Sequence, residues 1–380
     1  MAIEKIIIER FLYLSQDYPV FDVRSPAEFL HAHIPGANSL PLFSDEQRKV
    51  VGTAYKQQGR QKAIKIGLDY FGATMKKIVE EVESLVVDSC LESRNNFETS
   101  NEQPHTNIVL VHCWRGGMRS SAVAWLLDLY GYKVYTLAGG YKSFRNWVLQ
   151  QFTKPYNFKI LGGYTGSGKT VLIKELKRLG HSIIDLEGLA SHKGSAFGAE
   201  DENPQPRQEM FENLIAIDLF KQQGKFKIIS WEEELNEPNA QLFSTVIWLE
   251  DESQRIGALN IPNGLWEQMR NSPVCFIDIP FEERLNYIVS VYGTIEKENL
   301  INSVIRIQKR LGGQEAKSAV NFILQDNIRE AFSILLRYYD RCYNRSLLNR
   351  KNLDTLLNKI SCSTVSVSNV NTLSFFKLLL

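Results

Sequence analysis

No stretch of the sequence offers the roughly 18 uncharged apolar residues that a bilayer crossing needs. The opening MAIEKIIIERFLYL interrupts its apolar run with Glu4, Lys5, Glu9 and Arg10, and has neither a basic leader nor a small-residue cleavage site. It therefore does not read as a signal peptide. Cysteine is scarce: Cys90, Cys113, Cys275, Cys342 and Cys362 are odd in number, widely spaced and without a CxxC pair. That argues against a disulfide framework and against a zinc site. An excess of one charge is lacking too, since 44 basic residues face 43 acidic ones. The chain is no polycation, and any nucleic-acid contact must come from a local patch. The expectation is a reduced, cytoplasmic enzyme with no membrane contact and no tightly bound metal.

What is present is ordinary for a folded protein, with 44% hydrophobic and 23% charged residues. A length of 380 residues predicts two or three domains. Short β-rich runs alternate with helical patterns, which predicts an α/β architecture built on parallel sheets. Strand candidates are VFDV (Val20–Val23), IVLV (Ile108–Val111) and VYTL (Val134–Leu137). After a polar boundary at Pro155 follow FKIL (Phe158–Leu161), SIID (Ser182–Asp185), KIIS (Lys227–Ser230), VIWL (Val246–Leu249) and VCFI (Val274–Ile277). The division expected is 1–150, 156–296 and a basic helical region over 297–350, with a tail of unknown structure over 351–380. Residues 84–107 are polar and read as an inserted loop. Residues 200–237 carry a net charge of −6 and residues 301–351 a net charge of +6. The latter suits a polyanion as well as it suits a solvated surface.

His112-Cys113-Trp114-Arg115-Gly116-Gly117-Met118-Arg119-Ser120 follows a buried-type strand and opens a helix. Such a turn points successive N–H groups inward and cradles an anion. Gly116 and Gly117 permit positive φ, Arg115 and Arg119 add charge, and Arg119 can grip two oxygens of a tetrahedral anion. In that field Cys113 is expected as a thiolate and a nucleophile. The Cys-x5-Arg-Ser spacing matches the tyrosine phosphatase loop, where thiolate attacks phosphorus. Rhodanese-like sulfur transferases use a similar loop to carry a persulfide. DVRSPAEFLHAHIPGA (Asp22–Ala37) resembles the rhodanese pattern and points to that fold, but the loop leaves both chemistries open.

Gly163-Tyr164-Thr165-Gly166-Ser167-Gly168-Lys169-Thr170 fits G-x4-G-K-[ST] between a strand and a helix. The N–H groups of such a loop hold phosphates, Lys169 neutralises the terminal one, and the Thr170 hydroxyl can reach Mg²⁺. Any diphosphate suits it. Asp185, Glu250 and Asp251, at later strand ends, are candidates to position Mg²⁺ or act as a base.

The chain resembles bacterial tRNA 2-selenouridine synthases from about residue 17 to 346. The resemblance rests on DVRSPAEF, YKQQGR, HCWRGGMRS, LAGGYKSFR, GGYTGSGKT, IIDLEGLASHKGSAFG, VIWLEDESQRIG and RLGGQEA. The usual YYDPxY motif here reads YYDRCY, Tyr338–Tyr343. The resemblance implies an N-terminal rhodanese-like domain, a P-loop domain and a helical C-terminal region. It implies two co-substrates, geranyl diphosphate and selenophosphate, acting on wobble 2-thiouridine of tRNA. Sulfur is geranylated first, and selenium then replaces the S-geranyl group. The catalytic cysteine maps onto Cys113 as an S-selanylcysteine intermediate, with Trp114, Gly116, Gly117 and Met118 completing the selenophosphate cradle. Gly163, Gly166, Ser167, Gly168, Lys169 and Thr170 then hold the diphosphate. Tyr55, Lys56 and Arg60 are candidates for tRNA contact, a selenophosphate-supplying enzyme is a candidate partner, and the basic 301–351 run suits phosphate contacts. Two other readings share the motifs: a cysteine phosphatase fused to a P-loop kinase, and a nucleotide-sensing regulatory protein.

Overall fold

A computed structural model describes residues 3–94, 107–192, 203–222 and 245–374. The chain separates into two compact units, Met1–Gln150 and Gln151–Leu380. Both are α/β, each built on a five-stranded parallel sheet.

The first unit runs β1 (Glu4–Ile6), α1 (Ile8–Leu14), β2 (Val20–Asp22), α2 (Pro26–His31), β3 (Asn38–Ser39) and α3 (Asp45–Gln57). It continues with α4 (Arg60–Arg94), β4 (Ile108–His112), α5 (Met118–Tyr130), β5 (Lys133–Leu137) and α6 (Gly140–Gln151). The strand order β1-β5-β4-β2-β3 places β4 at the centre. Val109, Leu110 and Val111 are fully buried there, as a continuous apolar run in a parallel sheet should be. Ligands of such sheets bind beyond the carboxyl ends of the strands, where β4 delivers Cys113.

The inserted loop expected over 84–107 is corrected in part, because α4 continues to Arg94. Phe71, Ile78, Val79 and Val82 recur at helical spacing on the buried face, and Leu85 and Val86 extend that stripe onto the same core. An apolar stripe anchored in the core carries a helix through locally polar sequence. Residues 95–106 of the expected loop lie outside the described residues.

The second unit begins with β6 (Asn157–Gly163), α7 (Lys169–Arg178), β7 (Ser182–Ile184), α8 (Leu186–Ala190), α9 (Gln208–Gln222) and β8 (Val246–Glu250). The short β9 (Arg255–Ile256) and β10 (Leu259–Asn260) pair as a hairpin, followed by α10 (Asn263–Arg270) and β11 (Val274–Asp278). Four helices come next: α11 (Phe281–Tyr292), α12 (Lys297–Leu311), α13 (Gly313–Leu324) and α14 (Ile328–Leu348). A short α15 (Leu353–Leu356) leads into β12 (Leu357–Ser361). The KIIS strand expected at Lys227–Ser230 falls outside the described residues.

The second sheet has the order β12-β11-β6-β8-β7, again with the loop-bearing strand in the middle. Within 351–380, left without structure by the sequence, Leu357–Ser361 returns to this sheet as an edge strand parallel to β11. The basic helices are thus an excursion between two neighbouring strands. Leu285 and Ile288 of α11, Val304 and Ile307 of α12, Ala319 and Ile323 of α13, and Phe332 and Leu335 of α14 share their own core. Burying each large side chain contributes about 1.5–3 kcal/mol. Among the described residues no helix is long and apolar enough to cross a membrane.

Candidate active sites

In the first unit the turn from β4 to α5 wraps around Cys113, which is 3% exposed. The Gly117 N–H donates to its Sγ at 3.4 Å, and the Ser120 hydroxyl lies 3.3 Å from the same atom. Burial pushes the thiol pKa up, but Ser120 and the N–H groups of Gly117, Ser120 and Arg115 outweigh it. The net shift is downward, toward thiolate.

The turn is clamped from below by the start of α6. Tyr141 N–H donates to the Cys113 carbonyl at 2.8 Å, and Lys142 N–H to the Trp114 carbonyl at 2.9 Å. This approach is close enough to require glycine. A Cβ on Gly140, at φ +61°, would stand 2.3 Å from the Cys113 carbonyl oxygen and 2.4 Å from the Gly116 nitrogen. Gly116 is also left-handed, at φ +60°. Gly117 is not: its φ is −113°, so the positive φ expected at both glycines occurs at the first alone.

Beneath the loop, Asp22 and Arg24 form a buried pair with contacts of 2.6–2.9 Å. Arg24 also donates to the Ala32 carbonyl at 2.7 Å and lies 3.9 Å from the centre of the Tyr141 ring. Burial works against the Asp22 charge, but His112 and Arg24 outweigh it and hold the carboxyl below its usual range. Arg119 donates to Glu28 at 2.6 Å, and Arg48 reaches the same carboxylate at 3.6 Å. An arriving anion must therefore compete with Glu28 for Arg119. Trp114, Arg115 and Met118 are exposed on the loop. Glu28, Asp22 and Arg24 lie within the DVRSPAEF stretch, yet nothing in their spacing revealed the contacts they make.

In the second unit Gly163–Thr170 joins β6 to α7 as the motif requires. Lys169 Nζ donates to the Gly163 carbonyl at 2.9 Å, and the Thr170 hydroxyl donates to Glu187 at 3.2 Å. The Ser167 hydroxyl is buried without a hydrogen-bond partner among the described residues. The three acids expected near the loop separate into different roles. Glu250 joins Glu187 and Glu252, with ligand oxygens all within 4.8 Å of one another. Asp185 instead caps α8 through the Gly188 N–H at 2.8 Å. Asp251 accepts from the Tyr343 hydroxyl at 2.6 Å and pairs with the buried Arg350. Beyond the end of β8 the backbone turns, with the Glu252 N–H donating to the Glu250 carbonyl at 2.9 Å, so Glu252 joins Glu250 while Asp251 meets Tyr343 and Arg350. Glu187, two residues beyond Asp185, was missed because a strand-end acid had the simpler pattern.

Burial, and next the charge of Glu187, push Glu250 up to about 8. Burial and the same neighbours raise Glu252 well above its usual range. Both Glu250 carboxylate oxygens are buried with no hydrogen-bond partner among the described residues. Hard oxygen donors gathered beside a P-loop threonine fit a divalent cation of the Mg²⁺ type.

The wall of the phosphate loop comes from α11 and α14. Gly163 N–H donates to the Tyr343 hydroxyl at 3.2 Å, Tyr164 donates to Asn344 at 2.9 Å, and Arg284 donates to the Thr165 carbonyl at 3.0 Å. Arg284 is itself fixed by Asp340 at 2.8 Å. The departing motif YYDRCY thus supplies both Asp340 and Tyr343 to this wall.

Of the residues expected to meet RNA, Tyr55, Lys56 and Arg60 sit exposed together at the corner between α3 and α4. The basic run of 301–351 is less available than its charge suggests. Arg350 is buried, Arg329 pairs with Glu282 at 2.6 Å, and Arg341 pairs with Glu315 at 3.1 Å. Lys309, Lys317, Arg345 and Lys351 are exposed.

A family model described as the rhodanese-like domain matches residues 10–146. One described as the tRNA 2-selenouridine synthase AAA domain matches residues 156–297. The tRNA 2-selenouridine synthase of Sulfurovum sp. is 34% identical over 359 residues, covering 86% of this chain and 88% of that protein. That of Pseudomonas putida strain GB-1 is 31% identical, covering 88% and 89%.

Proposed function

The chain belongs to the tRNA 2-selenouridine synthase family, and on that premise we propose that it converts wobble 2-thiouridine of tRNA to 2-selenouridine in two steps. The Gly163–Thr170 loop binds geranyl diphosphate. The thiouridine sulfur attacks the first carbon of the geranyl group, the carbon–oxygen bond breaks, and diphosphate leaves with the electron pair. Lys169 and the loop N–H groups stabilise that departing charge. Glu187, Glu250, Glu252 and the Thr170 hydroxyl would hold Mg²⁺, which would supply further positive charge to the leaving diphosphate. Geranylation matters chemically because a thiocarbonyl sulfur leaves poorly, whereas an S-alkyl group leaves as a thiol.

The Cys113 loop holds selenophosphate, a tetrahedral anion suited to its N–H groups and to Arg119. Selenium, which carries the nucleophilic electron pair, attacks C2 of the base, the carbon that bears the S-geranyl group. Geranylthiolate departs and takes a proton, and cleavage of the selenium–phosphorus bond at the expense of water then releases phosphate and 2-selenouridine. The observation that supports this reading is a buried thiol shifted toward thiolate inside an arginine-bearing anion turn. The phosphatase-plus-kinase alternative needs a carboxylic acid beside that turn. Burial works against the charge of Glu28, but Arg119 outweighs it and lowers its pKa, so it is no proton donor.

The test is to incubate the protein with 2-thiouridine tRNA, geranyl diphosphate, Mg²⁺ and selenophosphate, and then to weigh the wobble nucleoside. Selenouridine from the wild type and no selenouridine from Cys113→Ala, which still geranylates the tRNA, is the expected result. An unchanged nucleoside mass with the wild type would remove the transferase reading.

A further inference from the structure

Cys113 has two atoms of selenophosphate within its chemical reach, and the choice between them decides where electrons go. If the thiolate attacked selenium, the selenium–phosphorus bond would break with its pair on phosphorus. Phosphorus would leave as phosphite, two electrons more reduced than phosphate. Releasing phosphate by that route needs a two-electron oxidant. If the thiolate attacks phosphorus instead, selenium keeps the pair and every oxidation state is preserved.

Three features of the loop agree with the second course. Five residues separate Cys113 from Arg119, the spacing of loops that hold phosphorus-centred anions. Cys113 is 3% exposed, at the base of the turn. Three phosphoryl oxygens in the cradle would bring phosphorus against Sγ and leave the fourth substituent pointing outward. A selenium already bonded to a tRNA nucleoside can occupy that outward position, whereas the buried Cys113 side chain closes the base of the turn. Finally, the Ser120 hydroxyl lies 3.3 Å from Sγ, placed to stabilise the sulfur as a thiolate when it departs again.

Resting on the selenation reading above, we propose that Cys113 is a phosphoryl acceptor that cleaves the selenium–phosphorus bond after selenium has been transferred to the uridine. Displacement of geranylthiol leaves a Se-phosphoryl nucleoside. The Cys113 thiolate attacks its phosphorus, the sulfur–phosphorus bond forms, and 2-selenouridine leaves as the selenolate and takes a proton. Water then attacks the cysteinyl phosphate, phosphate is released and the thiolate returns. Charge and electrons balance at both steps, with water as the one co-reactant.

The experiment uses full-length protein, geranylated tRNA, and selenophosphate labelled either at phosphorus or at selenium. Turnover is quenched in acid, and the peptide containing Cys113 is isolated with and without dithiothreitol. The expected result is phosphorus label on Cys113 that dithiothreitol does not remove, with no selenium label there. The Cys113→Ser variant should carry no thiol-bound label and accumulate the Se-phosphoryl nucleoside on tRNA. Selenium label on Cys113, released by dithiothreitol, would overturn the proposal and establish the S-selanylcysteine. Formation of selenouridine with neither label on Cys113 would overturn it as well. If no selenouridine forms at all, the selenation reading itself fails, an outcome that the nucleoside mass separates from the others.

Discussion

Replacing Gly140 by alanine tests whether the α6 start shapes the cysteine loop. The added Cβ would lie 2.3 Å from the Cys113 carbonyl oxygen, 2.4 Å from the Gly116 nitrogen and 2.8 Å from the Arg115 nitrogen. All three are backbone atoms, so no flexible side chain can yield. A left-handed alanine costs about 1–2 kcal/mol, and overpacking a tight site adds about 1–3 kcal/mol. Together they predict a loss of about 2–5 kcal/mol, or a fall in melting temperature on the order of 10 °C. Because the displaced atoms form the anion turn, selenation of pre-geranylated tRNA should fall at least tenfold even well below the melting point. Gly117→Ala is the control, since a Cβ there meets nothing within 4 Å and its φ is negative. That variant should melt within about 0.5 kcal/mol of wild type. Thermal scans and a single-turnover selenation assay on both proteins decide the matter. A Gly140→Ala protein that melts and selenates like wild type would refute the clamp.

Further outcomes are expected. Ser120→Ala removes the foremost contact lowering the Cys113 thiol, so the midpoint of its iodoacetamide alkylation should move to higher pH. An unmoved profile would mean that the backbone N–H groups alone set it. Lys169→Ala should lose geranyl diphosphate-dependent alkylation while still selenating pre-geranylated tRNA; normal geranylation would disprove the diphosphate assignment. Tyr343→Phe leaves the Gly163 N–H and Asp251 without their shared hydroxyl, a loss of about 1–3 kcal/mol. The same variant should raise the KM for geranyl diphosphate, and an unchanged KM would confine Tyr343 to a purely structural role. Changing Lys309, Lys317 and Lys351 to glutamine should weaken tRNA binding and flatten its salt dependence, by up to about 0.9 in log–log slope per lost phosphate contact on a duplex. Changing the ion-paired Arg329 and Arg341 should do so less, and equal effects would contradict the reading of their pairs.

The two anion loops were legible because each is local: a strand, a glycine-bearing turn and a helix start lie within about ten consecutive residues, where spacing constrains geometry directly. The strands at Ile108–His112, Asn157–Gly163 and Val274–Asp278 were legible for the same reason, as short and mostly apolar runs from buried parallel sheets. The carboxylate cluster was only half legible. Glu250 announced itself at a strand end, but Glu187 joins it from 63 residues upstream, and no periodicity links residues that far apart. The α4 extension through 84–94 was hidden because polar composition outweighed the short Leu85-Val86 continuation of its buried stripe.

The sequence by itself therefore determined the fold class, the order of the two loops and the strand-to-helix setting of Cys113 and Lys169. Those properties rest on contacts within a few residues of one another. Tertiary structure alone decided that Arg119 is held by Glu28, that Asp185 caps α8 and Asp251 meets Tyr343 and Arg350 while Glu187 lies beside Glu250, and that β12 joins the second sheet after the basic helices. Each of these depends on which distant backbone segments pack together, and packing across tens of residues leaves no spacing for a sequence to display.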